Sequence, residues 1–319
     1  MKKMFAMILA LATMFALVSC GGSADSGKTE LTFTTGGETG TYYAFGGVLA
    51  QSVTANTDVS VTAVSSDGSK ANVLLMAAGD AQLGFCQSDV MAYAYNGIST
   101  FADVGKVSDF STVANLYMEQ VQIVTCNPDI KTVDDLKGKK VSIGAAGSGV
   151  YFNAIDILEA YGMTESDIVA NFQNFADSAD SLTDGTIDAA FIVAGAPTTA
   201  ITTLATGKDV YLVNLDDAHI DALMASSPYY TKAVIPASAY GLSSDTTTVA
   251  VGAVVIARDD VSEDAIYAFV SDIFTNKDSL AHGKAAELDL SFAANVTAVP
   301  YHPGAAKYFA EQGITVPVK

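Results

Sequence analysis

The feature that most constrains this 319-residue chain is the alternation of short β-type runs with amphipathic helical runs, interrupted twice by much longer β-type runs. "ELTFTTG" reads as a strand and "TYYAFGGVLAQSVTA" as the helix after it. The pairs "VSVTAVSS" with "GSKANVLLMAAGD", and "AQLGFCQ" with "SDVMAYAYNG", repeat that order. Parallel strands need a crossover connection, usually a helix, so the pattern predicts a mostly parallel sheet with helices on both faces. "FSTVANLYMEQVQIVTCNP", residues 110–128, is long enough to cross from one lobe into another. A second series follows in "TVDDLKGKKVSIGAAGSG", "GVYFNAIDILEAYGM", "DSADSLTDGTIDAAFIVAG" and "DVYLVNL", and "TTTVAVGAVVIARDD" is the return crossing. "SEDAIYAFVSDIFTN", with Ser262 and two acids at its start, and "GAAKYFAEQG" read as closing helices. The expected fold is α/β and two-lobed, a clamshell in which each lobe is a mostly parallel sheet flanked by helices. Lobe 1 would take residues 31–118 with about 250–319, and lobe 2 residues 119–249, with hinge strands near 112–124 and 246–257. Half the chain is apolar, enough for a core in each lobe.

Ligands of open α/β sheets sit beyond the carboxyl ends of strands, beside helix starts. Two glycine-rich stretches fall there. "TTGGETG" follows the first strand and precedes a helix starting near Thr41, and "GAAGSG", residues 144–149, follows "KKVSI" and precedes a helix starting near Ser148. "SSDGSKANVLL" offers Gly68 and Ser69 in the same way. A helix start presents unpaired N–H groups and the positive end of the dipole, so it attracts an anion. One such loop can be a plain connection; three in like positions point to a shared anion site. A nucleotide loop is excluded by detail. Ser148-Gly149 follows Gly147 where a phosphate-cradling loop needs Lys-Ser or Lys-Thr, and counting from Gly147 the sixth place of a dinucleotide fingerprint is Phe152. Ser148 also lacks glycines two places either side, so it is not on a nucleophile elbow. Arg258, the only arginine, lies beside Asp259 and Asp260 and is expected to make a surface ion pair with them. The anion is therefore expected on backbone N–H groups that Gly36, Gly37 and Gly40 let approach, with the hydroxyls of Thr41 and Ser148 as added donors and Lys70 as a further candidate.

Aromatic residues follow both loops: Tyr42, Tyr43 and Phe45 in one, Tyr151 and Phe152 in the other. Some of these rings are expected to wall the ligand and others to serve the core. Glu119 sits where the chain crosses between lobes, either to receive an ammonium group or as a solvated hinge residue. Gln87, Ser88 and Asp89 open a helix, as caps or as ligand donors. Asp188, at a turn before a strand, reads as structural.

The net charge is −19, and the only charges among the first nineteen residues are Lys2 and Lys3, so without them 14 positives face 35 negatives. Such a chain is not a nucleic-acid partner. Residues 1–19, "MKKMFAMILALATMFALVS", have a charged front and an apolar run too short to span a bilayer, which is the pattern of an export signal. "LVSC" at its end looks like a bacterial lipobox, which makes Cys20 the site of lipid modification, residues 20–30 a tether, and the location extracytoplasmic, in the periplasm or at the cell surface. Cys86 and Cys126 lie in apolar strand-like runs and read as free thiols, with a disulfide as the alternative. No metal-type cluster, and hence no metal or other cofactor, is expected, and His219, His282 and His302 stand far apart. A hydrolase using Ser148 or Ser88 with one of these histidines is the reading from another class.

Five segments carry a family resemblance: "TTGGETGTYYAFGGVLA", "SDGSKANVLLMAAGDAQLGFCQSDVMAYAYNG", "VDDLKGKKVSIGAAGSG", "LTDGTIDAAFIVAGAPTTAI" and "YHPGAAKYFAEQG". In this order they resemble the TAXI class of TRAP-transporter solute receptors (TRAP-associated extracytoplasmic immunogenic proteins). The resemblance implies a type II periplasmic-binding-protein fold, no catalysis, and delivery of a small carboxylate to an ion-coupled TRAP permease. Glutamate or glutamine is the ligand type it favours. The receptor is expected to be a monomer. An ATP-driven importer is the alternative partner. Carried over by position, the cleft motifs fall on Thr41, Tyr42 and Tyr43, on Ser69, on Gln87 and Ser88, on Glu119, and on Ser148 and Gly149; Gly40, Val150 and Tyr151 adjoin them. Val150 stands where a hydroxyl residue is common, Ala44 where a proline is, and Gln122 where a histidine is.

Overall fold

A computed structural model describes residues 27–319, so the apolar leader, Cys20 and most of the tether lie outside the described residues. Strand β1 (Thr29–Thr34), α1 (Thr41–Asn56), β2 (Val59–Val64), α2 (Ser69–Ala78), β3 (Leu83–Gln87) and α3 (Ser88–Asn96) lead into the long β4 (Phe110–Thr125). Next come β5 (Lys140–Ser142), α4 (Val150–Ala160), β6 (Val169–Asn171), α5 (Phe175–Thr183), β7 (Ala189–Ala194), α6 (Thr199–Ala205), β8 (Tyr211–Leu212), α7 (Asp217–Ser226) and β9 (Thr231–Ile235). The long β10 (Thr246–Arg258) precedes α8 (Glu263–Thr275), α9 (Leu290–Ala293) and α10 (Pro303–Glu311).

The strands join in the order β2-β1-β3-β10-β4-β7-β5-β6, with β8 against β4 and β9 against β10. β1 runs parallel to β2 and β3, and β5 parallel to β6 and β7, as helical crossovers require. The two long strands are antiparallel to each other and change partners along their length. β10 meets β9 through Thr246–Ala250 and β3 through Ala253–Ala257, while β4 turns to β7 from Gln120 onward. The change of partner falls at Glu119, opposite Val251, where the chain passes from one lobe to the other.

The cores follow that division. One cluster draws on β1 to the first half of β4 and on the second half of β10 with α8 and α10, around Phe33, Phe45, Phe85, Phe269 and Phe309. The other lobe has a cluster on each side of its sheet. Alternate residues of the fully buried β7 serve them: Phe191 and Val193 face one, Ile192 and Ala194 the other, the period-2 alternation of a strand.

Several local expectations are altered. α4 begins at Val150, not near Ser148, because the Ser148 N–H and hydroxyl both donate to the Ala145 carbonyl (2.9 and 2.7 Å) and hold that residue in a turn. β6, α6, α7 and β9 have no counterpart in the sequence reading; the two strands are three and five residues long, and both are largely exposed or half-exposed. Arg258 pairs with Asp260, while Asp259 pairs with Lys319 and accepts from Ser111 (2.5 Å). Asp188 is structural: its carboxylate accepts from Lys140 N at 2.8 Å and ties β5 to the turn before β7. Cys86 and Cys126 are both free, the first buried.

Candidate functional site

Between the lobes lies a small cavity of about 60 Å³. A water needs about 10–15 Å³ on this measure, so the space holds a few waters or one compact ligand. The starts of five helices border it: Gly40 and Thr41 of α1, Gly68 and Ser69 of α2, Gln87 before α3, Gly149 and Val150 of α4, and Asn174 and Phe175 at α5. Four of the five have no side-chain cap; at α5 the Asn174 side chain accepts from Asp177 N. Their N–H groups and dipoles therefore make a positive environment without a lysine or arginine in the cavity wall.

The lobes touch around this space. Ala71 N donates to the Gly147 carbonyl (3.0 Å), Ala200 N to the Thr39 carbonyl (3.2 Å), and the Thr41 hydroxyl to the Gly195 carbonyl (3.0 Å). Asn153 of α4 donates to Asp89 of α3 at 3.0 Å. The described arrangement is a closed clamshell.

Of the residues singled out in the sequence, Gly40, Thr41, Tyr42, Ser69, Gln87, Glu119, Ser148, Gly149 and Val150 border the cavity. Three do not. Tyr43 is one helical step (100°) from Tyr42 and points elsewhere. Ser88 turns to β10, where its hydroxyl accepts from Gly252 N at 3.0 Å. Tyr151 stacks with Phe152 and Phe172, and its hydroxyl donates to Glu165 (2.8 Å). Lys70 stands over the rings of Phe101 and Phe152, outside the wall. The roles expected of Thr41 and Ser148 also change. A hydroxyl has one proton, and both residues have given theirs to backbone carbonyls, so neither donates to an anion in this arrangement.

Sequence reasoning missed Ser66, Asp67, Ala145, Asn174, Phe175, Val193 and Ala194 of the wall. Asn174 and Phe175 follow β6 as Thr41 follows β1, so the strand–loop–helix signal was there, carried by a strand of three residues.

The cavity floor is acidic and incompletely paired. Glu119 is 2% exposed, and its Oε2 has no hydrogen-bond partner. The Tyr42 hydroxyl and Gln87 Oε1 are buried without partners beside it. Burial pushes the Glu119 carboxyl up to about 8; Tyr42, Lys284 and Gln87 pull it down and Asp89 pushes it further up. Tyr42 lies flat on Phe85, ring centroids 4.5 Å apart, so it serves core and cavity at once. The serines have no imidazole beside them: His219 pairs with Asp216, His282 stacks on Phe45, and His302 caps α10. Among the described residues no group of three or more His, Cys, Asp or Glu could hold a metal ion, and no helix is long and apolar enough to cross a membrane.

The family model described as NMT1-like family matches residues 33–313. Among solved structures, a protein from Bordetella bronchiseptica RB50 is similar with a TM-score of 0.54 at 16% identity, covering 83% of this chain and 77% of that one. The ligand-binding component of an ABC-type import system from Staphylococcus aureus, with zinc bound, is similar with a TM-score of 0.52 at 10% identity, covering 91% and 94%. These likenesses bear on the fold alone, a two-lobed α/β fold.

Proposed function

Because the chain belongs to the NMT1-like family, we propose that it is a solute receptor, not an enzyme, that captures a small organic carboxylate between its lobes and hands it to a membrane transporter. An amino acid of the glutamate or glutamine kind is the favoured ligand. The observation that carries this reading is the meeting of five helix starts on one cavity between the lobes whose wall has no basic side chain. A carboxylate there is held by backbone N–H groups and dipoles, and the ammonium of the same ligand faces Glu119. The ligand-binding residues are Gly40, Thr41, Tyr42, Ser69, Gln87, Glu119, Ser148, Gly149 and Val150. Ligand contacts made to both lobes at once favour the closed form over the open one, and the transporter would recognise that form.

Calorimetry with a panel of amino acids, dicarboxylic acids and sulfonates tests the reading. Micromolar or tighter binding of an amino acid is the expected result, and no heat from any acid with folded protein sinks it. For the transporter, the TAXI resemblance favours an ion-coupled TRAP permease; the Staphylococcus aureus neighbour supports the ATP-driven alternative. Uptake that collapses when the ion gradient is dissipated with ATP intact selects the first. The division into lobes at residues 31–118 with about 250–319 against 119–249, the lipid on Cys20 and the extracytoplasmic location are parts of the same proposal. Mass spectrometry of the mature N-terminus tests the lipid.

A further inference from the structure

We infer that capture of an amine-bearing ligand expels one proton from the cleft, that the proton comes from Glu119, and that affinity therefore rises with pH. This rests on the receptor reading and goes beyond it.

Glu119 stands on β4 at the crossing between lobes and borders the cavity. Three atoms face the same space buried and without partners: Glu119 Oε2, Gln87 Oε1 and the Tyr42 hydroxyl oxygen, on residues 2%, 2% and 8% exposed. An ammonium carries three N–H donors. All three oxygens can accept from it, and Gln87 Oε1 can only accept, whereas an anion could be held here only by the Tyr42 hydroxyl proton and the proton on Glu119. A buried polar atom left unpaired is costly, so the ligand that fits presents donors here.

The charge state follows from the groups packed around Glu119. From α1 comes Tyr42, from β3 Gln87 and Cys86, from α3 Asp89, from β4 itself Tyr117, and from the turn Gly283–Glu287 the Lys284 ammonium. Lys284 is the one cation in this set, and it is engaged with Glu287 at 2.6 Å and lies over the Tyr117 ring. Its pull is outweighed by burial, and Asp89 adds to the rise, so the carboxyl stands at about 8 and holds its proton at pH 7. An ammonium within 4–6 Å favours the carboxylate by 1–3 units. The exchange is then Glu119–COOH plus ligand–NH₃⁺ giving Glu119–COO⁻ paired with ligand–NH₃⁺, with H⁺ passed to the buffer. Charge and atoms balance, and the closed cleft gains no net charge at this point. Below pH 8 the affinity should climb by up to tenfold per pH unit, and above it level off.

The test is calorimetry on the folded mature chain at pH 7 with L-glutamate and L-glutamine, in buffers of different ionisation enthalpy. The expected slope of heat against ionisation enthalpy corresponds to nearly one proton released. Glu119→Gln keeps the shape without the proton: the slope should fall to zero and affinity by 100-fold or more. Glutarate, which lacks the amine, should bind at least 100-fold more weakly than glutamate, with no release. Binding whose heat is independent of buffer in the wild type overturns the inference and leaves the receptor reading intact. Should Glu119→Gln fail to fold, the wild-type slope and the rise of affinity between pH 6 and 8 still decide. Heat from a dicarboxylic acid or sulfonate with none from any amine also overturns the inference and leaves the receptor reading intact; no heat from any acid in the panel removes both.

Discussion

Between β1 and α1 the chain passes through Gly36, Gly37 and Gly40, and between β5 and α4 through Gly144, Gly147 and Gly149; each loop opens a helix beside the cavity, yet their glycines meet different demands. A Cβ on Gly37 would touch nothing within 4 Å, and one on Gly36 would make ordinary contact with Tyr42 at 3.4 Å. The second loop is pressed from outside. A Cβ on Gly147 would crowd Asp67 at 3.1 Å and Ala71 at 3.2 Å, both in the opposite lobe, and one on Gly149 would fall 1.8 Å from Gln87 Oε1. Gly144 has a φ of +88°, and its Cβ would meet Val150 at 2.6 Å. The first loop keeps room at Gly36 and Gly37, while at Gly40 a Cβ would crowd the Gly37 carbonyl at 3.2 Å and touch Phe175 of the other lobe at 3.4 Å. The second loop's glycines let one lobe's backbone close on the other's.

The sharpest break of this comparison is at Gly144. Alanine there meets a left-handed backbone and a neighbour that is itself backbone-anchored, so Gly144→Ala should lower stability by about 2 kcal/mol or more, read by urea denaturation. A variant as stable as wild type would show the loop to be relaxed, and the contrast with the first loop would fall. Gly149→Ala separates closure from folding. Gly149 has ordinary helical angles, φ −72° and ψ −23°, which alanine accepts, so lobe 2 should fold as before. The methyl would displace Gln87 from the cavity or hold the lobes apart. Ligand affinity should fall on the order of 100-fold with the melting temperature of the free protein within a few degrees. Unchanged affinity would mean that the closed seam is not the binding form.

The helix after the second loop also carries a pH-dependent tie. Asn153 on α4 donates both to Asp89 across the seam and to Tyr230, whose hydroxyl donates to Asp156. Burial pushes Asp89 up to about 7, and the nearby Asp156, itself raised by burial, adds to it; the Val90 N–H and Asn153 pull the other way. The folded state then holds a proton that the unfolded chain gives up near pH 4. Stability from this group is complete below about pH 4 and is lost as the pH rises through 7, and Glu119 extends the fall to about 8. The melting temperature should drop between pH 5 and pH 8, and Asp89→Asn should flatten the part below pH 7. A flat wild-type profile would remove the tie.

How much of this could be read beforehand differs between the loops for the same reason. The strand–glycine–helix order, the two crossings by β4 and β10, and the placement of Thr41 and Gly149 at helix starts follow from periodicity and turn residues, which are local; Gln87 and Glu119 keep two roles each on the residues alone, and only the TAXI resemblance puts them in the cleft. What glycine is for at each position depends on the opposite lobe, and nothing in "GAAGSG" says that Gln87, some sixty residues earlier, will lie against Gly149. Where the hydroxyl protons of Thr41 and Ser148 go is equally non-local or a matter of turn geometry. β6 and β9 escaped because three and five half-exposed residues give no run long enough to show a period.

Thr41 belongs to the first loop but reaches into the seam, and it predicts an intermediate result. Its hydroxyl joins α1 to the Gly195 carbonyl at the end of β7, so Thr41→Ala removes a bond made only when the lobes are closed. A buried neutral hydrogen bond contributes about 0.5–1.5 kcal/mol, which corresponds to an affinity loss of roughly 2- to 13-fold through weaker closure. Serine in its place should restore most of it, which a direct contact of the threonine methyl with the ligand would not allow. Gly37→Ala then sets the floor. Its methyl enters open space and the backbone is not in the left-handed region, so stability should be unchanged and affinity within about threefold of wild type. A large loss of affinity at this position, with folding intact, would place the ligand directly against Gly37; a loss of folding would show that the first loop is as tightly determined as the second, and the difference between them would disappear.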